Sequence, residues 1–83
     1  MIDIDPIDPE IIKYLRERGL TKKFNKQIEF FRSNPAHPSL NFELLRPNQT
    51  NIFSIRIDRK YRALFVFTED DTVSIIEVNN HYQ

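Results

Sequence analysis

The spacing of the apolar residues changes once along this chain, near residue 42, and that change limits the folds available to it. Before it, Phe24, Ile28 and Phe31 recur at the spacing of one face of an α-helix. After it, apolar and polar residues alternate in NIFSIRID, which is typical of a strand with one buried face. Helices followed by strands predict an α+β fold.

Residues with known capping preferences mark the predicted helices. Asp8 is followed by proline and glutamate, which predicts an N-cap, a proline in the first turn and an acid at the positive end of the helix dipole. This helix is expected to run to Arg18, because Gly19, the chain's only glycine, can adopt the left-handed conformation of a C-terminal cap. Thr21 is expected to cap a second helix, which SNPAHP ends. The helices form a predicted hairpin with basic outer faces.

Four segments are expected to form strands. FELL predicts a short first strand, and NIFSIRID, YRALFVFT and TVSIIEV predict three longer ones, the last after the acidic turn TEDD. YRALFVFT is almost continuously apolar, so we expect a central strand covered on both faces. The strands should form a small antiparallel meander with the helical hairpin packed on one face. At this length, residues 1–83 are expected to form one domain.

Composition argues against several kinds of site and location. The chain has no cysteine, so it can form neither a disulfide nor a thiolate metal site. His37 and His81 are far apart and neither has a second ligand at metal spacing, so we expect no metal and no other cofactor. The acidic start is unlike a signal peptide, and no apolar run approaches a membrane span. We therefore expect a cytoplasmic protein that does not bind a membrane.

Charge is balanced overall but unevenly distributed. Lysine plus arginine and aspartate plus glutamate each number 12, so the formal net charge is zero. Residues 1 to 12 carry four acids and no base, whereas residues 13 to 32 carry seven bases against two acids. The predicted helical hairpin is therefore locally cationic.

Arg62 is the only charged residue in YRALFVFT. A charge in an apolar strand needs an anion or access to solvent. Antiparallel order places the start of this strand beside the ends of its two neighbours, so Arg56, Arg62 and His81 are expected at one end of the sheet. The sequence does not fix the register, which leaves open whether the two arginines share a face.

Several segments of the chain resemble a known family. HPSLNFELLRPNQTNIFSIRIDRKYRALFVF and the ending VNNHYQ resemble the RelE/ParE superfamily of bacterial toxins, and the His-Tyr ending is most similar to the YoeB-like branch. The most specific parts are F-S-I-R-I followed by Y-R-A-L, and the terminal H-Y. The resemblance implies the toxin of a type II toxin–antitoxin system, with two helices packed on an antiparallel sheet. It also implies an mRNA endoribonuclease that inhibits translation by cutting in the ribosomal A site without metal. The implied partners are a cognate antitoxin, the ribosome and mRNA.

The same resemblance assigns roles by position. Glu43 matches the general base, Arg62 the phosphate-binding arginine, His81 the general acid and Tyr82 the aromatic residue beside it; Arg56 matches a second arginine of that surface. Cleavage by attack of a 2′-hydroxyl needs these functions: a base for its proton, an acid for the leaving 5′-oxygen and a fixed cation for the charge on phosphate. An unperturbed histidine titrates at about 6.5, close to neutrality.

Further cations are candidates for contacts with RNA phosphates. They are Arg59, Lys60, Lys22, Lys23 and Lys26. The alternative is that they are ordinary solvated charges.

Structural alternatives also exist for the proposed catalytic residues. Glu43 could be a surface carboxylate, and His81 a solvated residue at the chain end. Tyr82 could stack on a base or cover the edge of the core. Arg62 could form a purely structural ion pair with Glu43, Asp58 or Glu77.

Two features depart from the family pattern, and two other functions compete with the nuclease. The superfamily's toxins are generally strongly basic, whereas this chain is neutral, and IDIDPIDPE replaces a regular first strand with a segment whose two prolines would interrupt a ladder.

A ParE-type inhibitor of DNA gyrase would share the fold without needing the His-Tyr ending. A domain that has lost toxicity would bind only an antitoxin.

Overall fold

A computed structural model describes residues 1–46 and 51–80 of the chain. In these residues, helices α1 (Pro9–Glu17) and α2 (Thr21–Ser33) and a 3₁₀ turn (Pro38–Leu40) accompany five strands. The strands are β1 (Asp3–Ile4), β2 (Glu43–Arg46), β3 (Ile52–Arg56), β4 (Arg62–Glu69) and β5 (Thr72–Asn79). They form one sheet in the order β1-β5-β4-β3-β2, with a parallel pairing between β1 and β5 and antiparallel pairings elsewhere. The predicted α+β fold, with two helices and a largely antiparallel sheet, is confirmed.

α1 begins where the sequence predicts and ends at Glu17, one residue before the predicted Arg18, which is its C-cap. The Asp8 carboxylate accepts a hydrogen bond from the backbone N–H of Glu10 at 2.8 Å and caps the helix. At the other end Gly19 has a φ of +67°. The N–H groups of Gly19 and Leu20 donate to carbonyls of the last helical turn at 3.1 and 2.8 Å. This is the Schellman arrangement, in which a left-handed residue lets the chain leave the helix with its last carbonyls satisfied.

The start of α2 differs from the prediction. Thr21 is the first residue of the helix and not its cap, because Leu20 occupies the cap position without a side-chain hydrogen bond. The Leu20 carbonyl accepts from the N–H of Phe24 at 2.8 Å, and its side chain is buried. Leu20 therefore serves both as the apolar anchor after Gly19 and as the first acceptor of α2.

Neither helix of the described residues is long and apolar enough to cross a membrane.

The two helices cover one face of the sheet. Phe31 of α2 packs on Phe65 of β4 with ring centroids 4.9 Å apart. The buried core lies in this layer and contains Ile2, Leu15, Leu20, Phe24, Phe31, Leu40, Ile55, Ile57, Ala63, Phe65, Val73, Ile75 and Val78. The expectation that β4 is covered on both faces is not met. Leu64 and Val66, which alternate with the core residues, are only half-buried, since the described helices all lie on the other side.

The N-terminal segment forms a strand where the sequence predicted an interrupted ladder. β1 lies along the start of β5, with Asp3 opposite Thr72 and Ile4 opposite Val73. It spans only two residues, and Pro6 follows closely, which fits the inability of proline to donate to a ladder. Arg32 of α2 anchors it. Its Nε donates to the carbonyl of Ile2 at 3.1 Å.

Candidate functional site

The register of the sheet decides whether Arg56 and Arg62 share a face. Arg56, the last residue of β3, lies directly opposite Arg62, the first residue of β4, and Asn79 at the end of β5 lies opposite Arg62 on the other side. Residues directly opposite each other in antiparallel strands carry their side chains on the same face. All three therefore share a face. It is the face turned away from α1 and α2, because the adjacent Ala63 belongs to the helix-covered core.

Glu43 belongs to the same group of side chains. It begins β2 opposite Ser54. Ser54 lies two residues before Arg56 and so points to the same face. The Glu43 Oε2 atom lies 3.6 Å from Nη2 of Arg62. Residues far apart in sequence thus place a carboxylate beside a guanidinium at the end of the sheet where the sequence predicted a site.

Arg62 is almost entirely buried. Its side chain is only 3% exposed, yet several acceptors surround the guanidinium. Nε donates to Ser54 Oγ at 2.9 Å, and Nη2 donates to the carbonyl of Asn41 at 2.5 Å and, more weakly, to the carbonyl of Ser54 at 3.4 Å. A buried charge is stable only when its donors are matched in this way. The orientation of the guanidinium plane is therefore fixed by the fold.

Glu43 is more exposed than Arg62. Its side chain is 30% exposed, and its ion pair with Arg62 is longer than a hydrogen bond. A fixed cation next to a half-exposed carboxylate can do two things. It can stabilise the fold as a purely structural ion pair. It can also stabilise charge that develops on a bound phosphate while the carboxylate takes a proton.

Arg56 differs from Arg62 in exposure. Its side chain is exposed, and within residues 1–46 and 51–80 no hydrogen bond or ion pair holds its guanidinium. Like charges directly opposite each other on a sheet are destabilising. Because Glu43 already lies beside Arg62, the exposed Arg56 is the cation of this pair that is open to an anion such as a phosphate.

Three residues of the site were not found from the sequence. Ser54 was expected on the polar face of β3, but it is fully buried because Arg62 covers it. Asn41 contributes a backbone carbonyl, and nothing in a side chain reveals such an acceptor; its left-handed φ of 45° is common for asparagine. Asn79 donates to Glu77 Oε2 at 2.5 Å. The sequence gives no signal for Ser54, because its burial depends on the register that brings Arg62 onto its hydroxyl.

The predicted residues His81 and Tyr82 lie outside the described residues. β5 ends at Asn79, opposite Arg62, so the described chain leads to the site up to that point.

The turn between β3 and β4 holds a second charged group. Asp58 Oδ1 accepts from the backbone N–H groups of Lys60 and Tyr61 at 2.8 and 2.9 Å, and Oδ2 lies 3.5 Å from Lys23 Nζ. Partial burial is the largest influence on the pKa of Asp58 and raises it. These hydrogen bonds and the Lys23 charge together outweigh burial and lower the pKa below its ordinary value of 3.8.

The same turn forms an open cleft with basic walls. Lys23, Asp58, Arg59 and Lys60 line it, and its volume is about 320 Å³. The structure therefore brings three of the predicted phosphate-binding cations together. Lys22 and Lys26 are exposed on α2 but are not among the residues that line this cleft.

Comparisons with known proteins give structural matches. No protein-family model and no curated protein matches the chain. A YoeB dimer from Staphylococcus aureus matches with a TM-score of 0.70 and 26% identity, over 98% of this chain and 95% of that one. A YoeB–YefM complex from the same organism matches with a TM-score of 0.69 and 24% identity, over 99% of each chain. A YoeB/ParE toxin from Agrobacterium tumefaciens matches with a TM-score of 0.71 and 15% identity, over 98% of each chain.

The fold and these matches define a class. The YoeB match at 26% identity supports a RelE/ParE-type toxin of the kind found in type II toxin–antitoxin systems, and the two matches below 25% identity show the same fold. Within that class the chain is YoeB-like, as the sequence predicted.

Proposed function

We propose that this chain is a toxin that cleaves ribosome-bound mRNA without a metal and that a cognate antitoxin restrains it. The observation that carries the proposal is the placement of Glu43 beside the fixed guanidinium of Arg62, on one face with Arg56. That arrangement provides a proton acceptor and two cations where a phosphate would bind. The likeness to YoeB structures supports the same function.

The proposed reaction is attack of a ribose 2′-oxygen on the adjacent phosphorus. Glu43 takes the 2′-hydroxyl proton as the O2′–P bond forms. Arg62 and Arg56 stabilise the charge that builds on the non-bridging oxygens, and His81 gives a proton to the 5′-oxygen as the P–O5′ bond breaks. The products are a 2′,3′-cyclic phosphate and a 5′-hydroxyl. Tyr82 would stack on a neighbouring base.

The hydrogen bonds of Arg62 support this role. Donors that are already oriented need no reorganisation when charge develops, and this is usually the largest electrostatic contribution to catalysis. Ser54 and Asn41 hold the guanidinium in place, and the 30% exposed side chain of Glu43 would take the substrate proton beside it. Arg56, being exposed, would meet the phosphate first. Arg59, Lys60, Lys22, Lys23 and Lys26 would contact neighbouring phosphates of mRNA or ribosomal RNA.

An exposed apolar surface supports an antitoxin partner. Phe42 and Leu44, at the β2 edge of the sheet, are 38% and 47% exposed. Phe42 also lines an apolar hollow of about 330 Å³ with Pro35 and Ala36. Contiguous exposed apolar surface is characteristic of interaction sites. An amphipathic antitoxin segment that folds on binding would cover them, and a matched YoeB is in complex with YefM. We expect a gene for such a protein next to this one.

Controlled expression in bacteria, with mapping of transcript ends, tests the proposal. The wild-type chain should arrest growth and produce new 5′ ends within ribosome-bound codons, and expression of the adjacent gene should relieve both effects. His81→Gln should lose most of the cleavage, about a hundredfold, while it still binds the antitoxin, because binding needs no proton donor. DNA damage signalling without mRNA cuts would indicate a gyrase inhibitor instead. Absence of any effect on growth would indicate a domain that only binds.

A further inference from the structure

Gln27 is a polar residue on the apolar face of α2. It lies three residues after Phe24 and four before Phe31, so helical spacing turns it toward the core, and it is only 7% exposed. A buried amide requires hydrogen bonds. Nε2 donates to the carbonyl of Arg56 at 2.8 Å and to that of Ser39 at 3.1 Å. The Ser39 hydroxyl in turn donates to Oε1 at 3.5 Å.

The first of these bonds satisfies a backbone carbonyl of β3 that has no paired residue on β2. β2 begins at Glu43, which pairs with Ser54, so no paired β2 residue lies opposite Arg56. The Arg56 carbonyl lies beyond the end of that ladder and accepts from Gln27 instead. Arg56 is also the residue directly opposite Arg62. Gln27 thus fixes the backbone of β3 at the position that flanks Arg62.

The second bond, from Gln27 to the Ser39 carbonyl, constrains the backbone segment on the other side of Arg62. Ser39 lies in the 3₁₀ turn, and Asn41, the residue immediately after that turn, is its C-cap. The carbonyl of Asn41 accepts from Arg62 Nη2 at 2.5 Å. A residue that holds Ser39 therefore also limits where the Asn41 carbonyl can lie. The end of β3 and the 3₁₀ turn, which lie on either side of Arg62, therefore both accept hydrogen bonds from the same nitrogen, Nε2 of Gln27.

We propose that Gln27 is a positioning residue for Arg62 and that it sets the orientation of the guanidinium from the opposite side of the sheet. Its effect on cleavage rests on the proposed function, whereas its effect on Arg62 does not. Without the amide, the end of β3 and the 3₁₀ turn lose a shared anchor, and Arg62 shifts with them. Misplacement of a catalytic group by about 1 Å can cost about a hundredfold in rate. We expect a smaller loss of about tenfold in kcat, with little change in KM, because the shift leaves the exposed RNA contacts intact.

The structural part is tested by NMR of the arginine Nε–H signals in Gln27→Met. Methionine fills a similar volume and cannot donate. The Arg62 Nε–H group is buried on Ser54, so in the wild type it should exchange slowly with solvent. In the variant its signal should shift and exchange at least tenfold faster. Arg32 Nε–H, bonded to the Ile2 carbonyl, should not change and provides an internal control. An unchanged Arg62 signal in a folded variant would overturn the proposal.

The kinetic part compares Gln27→Met with Ile75→Val. Ile75 is buried on β5 away from Arg62, and its truncation lowers stability without removing a hydrogen bond. At a temperature where both variants are fully folded, only Gln27→Met should lower kcat. Equal kcat values in the two variants would show that Gln27 is structural only. If the wild type itself does not cleave mRNA, the proposed function fails, and the NMR comparison alone decides whether Gln27 positions Arg62.

Discussion

Two ion pairs join distant parts of this chain across nearly the same distance. Arg62 Nη2 lies 3.6 Å from Glu43 Oε2, and Lys23 Nζ lies 3.5 Å from Asp58 Oδ2. Their exposure differs greatly, because the Arg62 side chain is 3% exposed and the Lys23 side chain 61%. The distance alone would rank the two pairs as equal.

The pairs also differ in which partner is fixed. Hydrogen bonds to Ser54 and Asn41 hold the cation of the Arg62–Glu43 pair. Backbone N–H groups of the β3–β4 turn hold the anion of the Lys23–Asp58 pair. A fixed, desolvated cation beside a half-exposed carboxylate suits the handling of a phosphate substrate. A fixed carboxylate with a solvated lysine organises a turn and leaves the lysine available to other anions.

The largest effect is expected when the fixed cation is changed. Arg62→Lys keeps the charge, but an ammonium cannot reproduce the planar contact with both Ser54 and Asn41 or a two-pronged contact with phosphate. Cleavage should fall by about a hundredfold to a thousandfold, the usual loss for one electrostatic donor. The free energy of unfolding should fall by about 1–3 kcal/mol, because buried acceptors lose their donor. Single-turnover cleavage and thermal denaturation measure the two effects.

Arg32→Lys is the matched control for that change. Arg32 also donates from Nε to a backbone carbonyl, but its partner is Ile2 and not a residue of the site. This variant should be less stable than the wild type and cleave at the wild-type rate. If the two lysine variants cleave equally well, the phosphate role of Arg62 is wrong and its pair with Glu43 is structural.

Changing Glu43, the more exposed partner of the buried pair, should have the next largest effect. Glu43→Gln removes the proposed base, so cleavage should fall by about a hundredfold. Binding of mRNA should stay equal or strengthen, because a negative charge beside the phosphate site is lost. A cleavage assay together with a binding titration on ribosomes separates the two effects. Full activity in this variant would mean that another group takes the proton.

Features that depend on neighbouring residues could be predicted from the sequence. Asp8 and Gly19 mark the ends of α1 because caps are decided within one turn of helix. The meeting of Arg56 and Arg62 at one end of the sheet followed from strand order alone. His81 and Tyr82 came from a resemblance, and their roles remain predictions.

Features that depend on register could not be predicted. A register shift between β4 and β5 pairs Leu64 with Glu77 and Phe65 with Ile75, which leaves Ile76 without a partner and 44% exposed. In TVSIIEV the two adjacent isoleucines are equivalent by composition, so the sequence cannot decide which one is buried. The burial of Ser54 has the same origin, because it depends on where β4 places Arg62. The burial of Ile75, the exposure of Ile76 and the burial of Ser54 are thus set by the pairing of strands that are distant in sequence, and not by the local pattern of apolar residues.

Within the exposed pair, Asp58 should matter more for stability than Lys23. Asp58→Asn keeps an acceptor for the turn but removes the charge, so Tm at pH 7 should fall by about 4 °C. The pKa of Asp58 is lowered in the folded protein, so its stabilising effect is complete above the ordinary value of 3.8 and is lost as pH falls through the lower folded-state value. The Tm difference between wild type and variant should therefore shrink in acid. A difference that persists unchanged at pH 2 would show that the charge contributes nothing.

The smallest effect on stability is expected at Lys23. Its ion pair is largely exposed, and such pairs contribute about 0–1 kcal/mol, so Lys23→Met should change Tm by only about 2 °C. If Lys23 instead serves the basic cleft by contacting an RNA phosphate, the variant should bind ribosomes less tightly, and the slope of log affinity against log salt should fall by about one. Lys13→Met, an equal change of charge at an exposed position of α1 outside that cleft, is the control and should leave the slope unchanged. Equal slopes in the two variants would mean that Lys23 only balances Asp58 and that the exposed pair, unlike Arg62 and Glu43, has no part in binding RNA.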